Sequence, residues 1–314
     1  MTLIWILAGF AAAVLLASYG CYRFAFYVPD RKLLKPDVIE IPEGKAYEPY
    51  REKMTGWIKE TRAMPHEDVE ITSFDGLKLQ GRFYEYAPGA PIEIMFHGYR
   101  GNAERDMSGG VERCFKVRRS ALVVEQRCSR GSGGNVITFG IREHRDCLKW
   151  VDFAIDHFGP DVKLILTGIS MGAATVLIAA GETLPSNVVG ILADCGYSSA
   201  RGIMYHVIRS MKLPPKLCYP LVKLGARIFG HFDLEEKSPL QAMETCRLPV
   251  IFFHGEDDDF VPCQMSRDMF EACKSRKKLV TIPGAGHGLA YAVEPERYLD
   301  ELYTFFGPEN SCLQ

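Results

Sequence analysis

The residues best placed to do chemistry are Gly168-Ile169-Ser170-Met171-Gly172, which follow the apolar run Lys163-Leu164-Ile165-Leu166-Thr167 and precede Ala173-Ala174-Thr175-Val176-Leu177. A strand must turn sharply into a helix at Ser170. Glycines on either side remove Cβ atoms where such a turn crowds the backbone, and the central serine is held at a strained φ/ψ with its hydroxyl projecting from the sheet edge. A nucleophile elbow of this kind presents an alcohol for covalent attack. Near neutral pH an alcohol needs a base, and the base needs a group that orients it. The chain supplies both, in order. Pro249-Val250-Ile251-Phe252-Phe253 reads as a buried strand running into His254-Gly255-Glu256-Asp257-Asp258-Asp259-Phe260-Val261-Pro262, so carboxylates fall on the loop beyond its C-terminal end. Leu279-Val280-Thr281-Ile282 is a further short strand, followed by Pro283-Gly284-Ala285-Gly286-His287-Gly288, where glycines let the imidazole swing over the serine. Serine, aspartate, histidine is the order expected when all three groups stand at C-terminal strand ends of a mostly parallel sheet.

Together these motifs resemble a serine hydrolase of the α/β-hydrolase superfamily, over a stretch from about residue 69 to about residue 306. The resemblance implies an α/β-hydrolase fold, with a mostly parallel central sheet, helices on both faces and a small helical cap. It also implies that the acid is the fifth residue of His-Gly-x-x-Asp-x-x-Val-Pro, which is Asp258, with Asp257 and Asp259 flanking it. Asp194, closing the run Val188-Val189-Gly190-Ile191-Leu192-Ala193, is the alternative, because some superfamily members draw their acid from that position; its plainer role is a helix cap or a loop hydrogen bond.

An oxyanion hole needs two backbone N–H groups aimed where negative charge develops. One is expected from Met171, next to the nucleophile at a helix N-terminus. The second, by resemblance, is the amide of Tyr99 in the loop His97-Gly98-Tyr99 that ends the strand from Ile92 to Phe96. His97 and His254 are expected to support loop backbones. His97, His254, Asp257 and Asp258 lack the local pairs, such as H-x-x-x-H or C-x-x-C, that zinc sites use, so no metal is expected and no cofactor is needed.

Composition bounds the rest. The 314 residues leave one α/β domain of ordinary size once the N-terminus is set aside. Lys plus Arg (37) nearly balance Asp plus Glu (39), which argues against a nucleic-acid partner. The ten cysteines are scattered without close pairs, as expected of buried thiols in a reducing compartment. Residues 3–22, opening at Leu3 and closing at Tyr22, carry no charge. About 20 residues at 1.5 Å each span a hydrocarbon core of roughly 30 Å, so this segment reads as a membrane helix. A cleaved signal peptide is the rival, with Ala11-Ala12-Ala13 and Ala17-Ser18 as small-residue sites, but no Lys or Arg precedes the apolar run. Lipoprotein processing at Cys21 is disfavoured by Ser18 and Tyr19. Arg23, Arg31, Lys32 and Lys35 follow the helix and direct the C-terminal domain to the cytoplasmic face.

The expected organisation is a transmembrane helix over 1–22, a linker and lead-in helix over 23–66, a hydrolase domain over 67–307 with its cap at about 200–245, and a tail over 308–314. Residues 29–49 are proline-rich and read as linker, and 48–62 as an amphipathic helix on the domain edge. Two alternating runs around Asp75-Gly76 form a β-hairpin. Residues 121–124 are a buried strand, after which Glu125 stands where the family usually has aspartate and Ser132 reads as a loop residue; residues 143–158 follow a helical pattern. Between Arg201 and Phe232 the chain carries Arg201, Arg209, Lys212, Lys216, Lys223 and Arg227 with no acidic residue, interleaved with apolar side chains. This is either a basic, apolar cap that closes over an acyl chain and rests on anionic headgroups, or an ordinary helix pair with a solvated basic face.

The expected activity is cleavage of carboxylic esters by a membrane-anchored serine hydrolase, with lysolipid-like or monoacylglycerol-like substrates favoured. The rivals are a peptidase or amidase, a thioesterase acting on acyl-protein or acyl-coenzyme A, and a non-catalytic tethered binding protein that keeps the fold as a scaffold.

Overall fold

The computed structural model describes residues 2–29 and 38–307. Arg31, Lys32 and Lys35, on which part of the topology argument rests, and the tail at 308–314 lie outside the described residues. The chain opens with helix α1 (Thr2–Ala25), three residues longer at its C-terminal end than its uncharged stretch. A 3-10 turn at Glu48–Tyr50, set off by Pro49, leads into α2 (Arg51–Ala63). Strands β1 (Glu67–Thr72) and β2 (Lys78–Tyr84) form the expected hairpin, with Thr72 opposite Lys78 across the Asp75-Gly76 turn.

The core alternates strand and helix: β3 (Ile92–Phe96), α3 (Ala103–Lys116), β4 (Ser120–Val124), α4 (Glu143–Phe158), β5 (Leu164–Ile169), α5 (Met171–Ala179) and β6 (Val188–Asp194). Three helices follow, α6 (Ala200–Ser210), α7 (Pro215–Phe229) and α8 (Pro239–Thr245). Then come β7 (Val250–Gly255), α9 (Gln264–Ala272), β8 (Lys277–Ile282), α10 (Ala290–Val293) and α11 (Pro295–Phe306).

The eight strands lie in the order β1-β2-β4-β3-β5-β6-β7-β8, antiparallel at β1-β2 and β2-β4 and parallel from β4 onward. The inner parallel strands are mostly apolar because both faces are covered. Leu164, Leu166, Ile191, Val250 and Phe252 pack on one face with Trp150 of α4 and Ala173 of α5. Their sequence neighbours Ile165, Leu192 and Ile251 point to the other, against Tyr298 and Leu302 of α11, as the two-residue period of a strand demands. From β3 the chain crosses to β4 on one side and returns to β5 on the other. The carboxyl ends of β3 and β5 therefore open a crevice at the point where strand order reverses, the place where open α/β sheets bind ligands.

A buried charge ties that point together. Glu93 of β3 is fully buried and accepts hydrogen bonds from Arg113 of α3 (2.6 Å), Arg119 before β4 (2.6 Å) and the Thr167 hydroxyl of β5 (2.9 Å). Burial by itself would raise its carboxyl; the two guanidinium groups reverse that and bring it down to about 2. A depressed carboxylate contributes stability that is complete above its ordinary value and lost as pH falls through the folded value. Glu93→Gln, which strands two buried cations, is expected to cost about 3–5 kcal/mol at pH 7 in urea unfolding. The gap between variant and parent should narrow as pH falls from about 4.5 toward 2.

Above the carboxyl ends of the strands sit α6 and α7, while α8 lies against α5 and α9 on the flank of the sheet. The basic character of the α6–α7 pair is partly neutralised by Glu235, just past the acid-free stretch, which pairs with Lys223 and lies 3.7 Å from Arg201. α1 packs its last turns on α7: Ser18, Tyr22 and Ala25 are buried, and a side chain at Gly225 would run into the Ser18 carbonyl. The N-terminal part of α1 projects away, with Leu3, Ile4, Trp5 and Phe10 exposed. It is one helix long and apolar enough to cross a membrane, near the N-terminus.

Candidate active site

Ser170 stands between β5 and α5 with φ 56° and ψ −116°, in the left-handed half of backbone space that an L-residue enters only under constraint. Neighbouring glycines supply that constraint. A Cβ at Gly168 would strike the Gly172 backbone, and one at Gly172 would strike the Phe96 carbonyl at the end of β3. The elbow is thus pressed against the adjacent strand, and the Ser170 N–H is held by the Asp194 carbonyl of β6 at 2.8 Å.

His287, in the loop after β8, places Nε2 2.9 Å from the Ser170 hydroxyl and Nδ1 2.7 Å from Asp258 Oδ2. Asp258 is buried, and every lone pair it offers is in use. Oδ1 accepts the backbone N–H groups of Phe260 (3.0 Å) and Val261 (2.8 Å), while Oδ2 also lies 3.2 Å from His254 Nε2. Burial would raise this carboxyl, but the hydrogen bonds from His254 and His287, together with the backbone donors, hold it well below the usual carboxylate range. His254 is fully buried; its Nδ1 lies 2.7 Å from the Ser266 hydroxyl, and its Nε2 is 2.8 Å from the Val261 carbonyl as well as facing Asp258. With two acceptors at Nε2, the proton belongs there, and the ring clamps the acid loop. Asp257 and Asp259, the other two register choices, do not meet His287.

Asp194, the alternative acid, is buried under the elbow and accepts from the Tyr298 hydroxyl at 3.0 Å, with no hydrogen bond to His287. Burial pushes its carboxyl up to about 6. The loop carrying Tyr99 lies against the elbow. A Cβ on Gly98 would be 3.5 Å from that of Ser170, Asp106 Oδ2 accepts the Gly98 N–H at 3.0 Å, and Met171 heads α5 directly beside the nucleophile. His97 Nδ1 donates to the Gly98 carbonyl at 2.8 Å and its Nε2 accepts the Gln126 N–H at 3.0 Å, so this ring braces two loops.

Three neighbours of the site carry no recognisable sequence signal. Tyr47, in the stretch read as linker, donates its hydroxyl to the His287 carbonyl at 2.9 Å, and Phe260 lays its ring edge-on to the imidazole at 5.1 Å. Cys195, buried at φ 45°, has its sulfur 4.0 Å from His287 Nε2. The Cys195, Asp258 and His287 ligand atoms lie near one another, but the thiol and the carboxylate face opposite nitrogens of one ring, which do not converge on a single ion. Burial also raises the Cys195 thiol, keeping it protonated. A hollow of about 690 Å³ lies elsewhere, between the hairpin and α2–α3; its Arg62 and Arg130 pair with Glu104, and it holds no nucleophile beside a base.

A strained serine, an imidazole within hydrogen-bond reach and a low-lying carboxylate behind it, on this sheet, define an α/β-hydrolase serine hydrolase. The sequence pattern of the prolyl oligopeptidase family matches residues 138–309, more than half of the chain, and the protein belongs to that family. The uncharacterized protein YqkD of Bacillus subtilis is 24% identical over 196 residues, 62% of this chain and 64% of YqkD, so the chain spans a little under two thirds of that relative. The uncharacterized protein YfhR of Escherichia coli K12 is 24% identical over 257 residues, covering 78% of this chain and 83% of YfhR. Among solved structures, the Pyrococcus furiosus esterase Pf2001 superposes with a TM-score of 0.66 at 21% identity, over 89% of this chain and 97% of that one. Est1E of Butyrivibrio proteoclasticus, with ferulic acid bound, gives a TM-score of 0.57 at 18% identity, over 75% of this chain and 98% of that one. At these identities the structural likeness speaks for the fold.

The two acidic candidates are separable. Asp258→Asn keeps the shape of the side chain but turns an amide toward two N–H groups, and is expected to lower ester turnover by about 10³–10⁴-fold. Asp194→Asn is expected to stay within about threefold of the parent in the same steady-state assay.

Proposed function

We propose that the protein is a membrane-anchored carboxylic ester hydrolase in which Ser170 attacks the acyl carbonyl. The observation that carries this reading is the continuous hydrogen-bonded line from the Ser170 hydroxyl through His287 to Asp258. His287 takes the serine proton as the Oγ–C bond forms and returns it to the departing alkoxide, leaving an acyl-enzyme. Water then gives a proton to His287 as it attacks the acyl carbon, and His287 returns that proton to Oγ as the Oγ–C bond breaks, releasing acid and Ser170. Asp258 stays ionised throughout, holding the ring with Nε2 toward the hydroxyl. The amides of Met171 and Tyr99 hold the tetrahedral oxyanion, a charge they meet only after attack has begun.

The preferred substrates are amphiphilic acyl esters of the lysolipid or monoacylglycerol kind. The surroundings of the elbow support this preference: Met171, Tyr99 and Val261 belong to the same apolar cluster as Ile203, Met204 and Val222 of the two cap helices. The cap also exposes Met211, Leu213 and Leu217 beside Lys212 and Lys216, a composition suited to anionic lipid headgroups. Retention of α1 as an anchor, with the catalytic domain on the cytoplasmic side, is supported by the exposed apolar turns at its N-terminal end, Leu3, Ile4, Trp5 and Phe10, and by Arg23 just past the uncharged stretch. A second reading, cleavage of an amide bond, is favoured by the family match, since one triad serves both chemistries.

Fluorophosphonate labelling is expected in the parent and absent in Ser170→Ala, with turnover of p-nitrophenyl esters down by about 10⁴–10⁶-fold. Across esters, thioesters and aminoacyl amides of graded chain length, kcat/KM should favour esters and rise with acyl length. A flat length profile would remove the lipid preference, and faster amide turnover would install the second reading.

A further inference from the structure

The end of α1 does not stop at the surface of the hydrolase. Its last carbonyls, which a helix C-terminus leaves without intrahelical donors, are taken up by the loop proposed to hold the oxyanion. The Tyr99 hydroxyl donates to the Ala25 carbonyl at 2.8 Å, and one Arg100 nitrogen donates to the carbonyls of Phe24 (2.7 Å) and Tyr27 (3.2 Å). Arg100 adopts φ 51°, a strained conformation for a residue with a Cβ, directly after Tyr99, the proposed oxyanion donor. Strain of this kind persists only where surrounding contacts over-determine it, and residues 24–27 supply contacts of that kind to this loop.

Packing repeats the connection. Phe26 is fully buried, edge-on to Phe139 at 5.8 Å and to Phe232 at 5.2 Å, and Phe139 in turn lies against Tyr99 at 5.1 Å. The segment is locked in by main-chain bonds from Ile137 N–H to the Phe26 carbonyl (2.9 Å) and from Val28 N–H to the Asn135 carbonyl (2.8 Å). Residues 24–28 are therefore built into the catalytic domain, while residues 3–16 project away from it.

We infer that the exit of α1, through Arg100 and Phe26, is the positioning element for the Tyr99 amide, so that the membrane-proximal turn of the chain sets the geometry of the oxyanion hole. Arg100 and Phe26 are positioning residues; neither is assigned a contact with substrate. The inference rests on the esterase reading and on Tyr99 as a donor, and goes beyond it by making the anchor part of the catalytic apparatus. An oxyanion donor acts on charge that exists only after attack, so its displacement lowers kcat and leaves KM nearly unchanged. Misplacement of about 1 Å is enough for a 10²-fold loss.

The test uses the full chain in detergent micelles, with p-nitrophenyl butyrate as substrate and an alkyl trifluoromethyl ketone as transition-state analogue. Ser170 Oγ adds to the ketone carbon, His287 takes the proton, and the hemiketal oxyanion occupies the same hole. Arg100→Ala and Arg100→Gln are expected to lower kcat by about 10–100-fold at constant KM, with ketone Ki rising by the same factor. Arg100→Lys, which retains a donor for one carbonyl, is expected to fall between parent and Arg100→Ala. Phe26→Ala should act in the same direction. Because it opens a hole in the core, the Arg100 pair, at a half-buried side chain, decides the matter if that variant does not fold. Parent-like kcat and Ki in both Arg100 variants would overturn the inference, and so would a lowered thermal midpoint with kinetics unchanged. A parent that neither turns over ester nor binds the ketone would overturn the esterase reading along with it.

Discussion

Everything at this site depends on one backbone constraint, the turn that throws Ser170 clear of the sheet. With φ at 56° the residue is not in a conformation it would choose; it is kept there because β5 must end, α5 must begin, and both must lie against the end of β3 without an intervening Cβ. The same closeness that strains the serine brings the β3 loop beside it. The proposed nucleophile and the proposed oxyanion donors thus come from neighbouring strands at the point where strand order reverses. The buried Glu93 cluster joins β3, α3, β5 and the start of β4 just beneath, so the elbow rests on a part of the core held by charge-assisted hydrogen bonds as well as by apolar contact.

The acid is held by a different device. A carboxylate that is to orient an imidazole must stay ionised in a dry place, and burial opposes this. Asp258 meets the difficulty with two backbone donors on one oxygen and two imidazoles on the other, one of them the catalytic candidate and the other fixed by Ser266 and Val261. Asp194, of the same residue type and at the end of the strand beside the elbow, receives only a tyrosine hydroxyl on its side chain, and burial pushes it the other way. Two aspartates at adjacent strand ends are thereby separated, one carboxyl held low by its donors and the other pushed up to about 6 by burial.

The cap and the N-terminal helix form a single apolar body over this apparatus. Tyr22, Ala25 and Phe26 share a cluster with Met171 beside Ser170 and with Met204 and Val222 of the cap, so α1 contributes to the apolar packing around the elbow. The candidate site thus lies beside the point where the apolar helix enters the domain, which is what the proposed preference for amphiphilic esters rests on.

Much of this was legible in the chain. Local signals sufficed for the elbow, for the buried strands leading to Asp258 and His287, for the hairpin and for the uncharged N-terminal helix, because each depends on neighbours in sequence: glycines flanking a serine, apolar runs meeting turn residues, absence of charge over a membrane's thickness. Three features were decided only when the strands paired. Which of Asp257, Asp258 and Asp259 meets the imidazole depends on where β7 ends relative to β8. Tyr47 reaches His287 across 240 positions from a proline-rich stretch that has no periodicity of its own. The exit of α1 meets the oxyanion loop through main-chain carbonyls, which are chemically identical at every residue and so leave no trace in the order of side chains. Residue order determined which groups exist and which elements carry them, whereas the distances among them come from sheet register and layer packing, sums over contacts too remote along the chain for any local pattern to record.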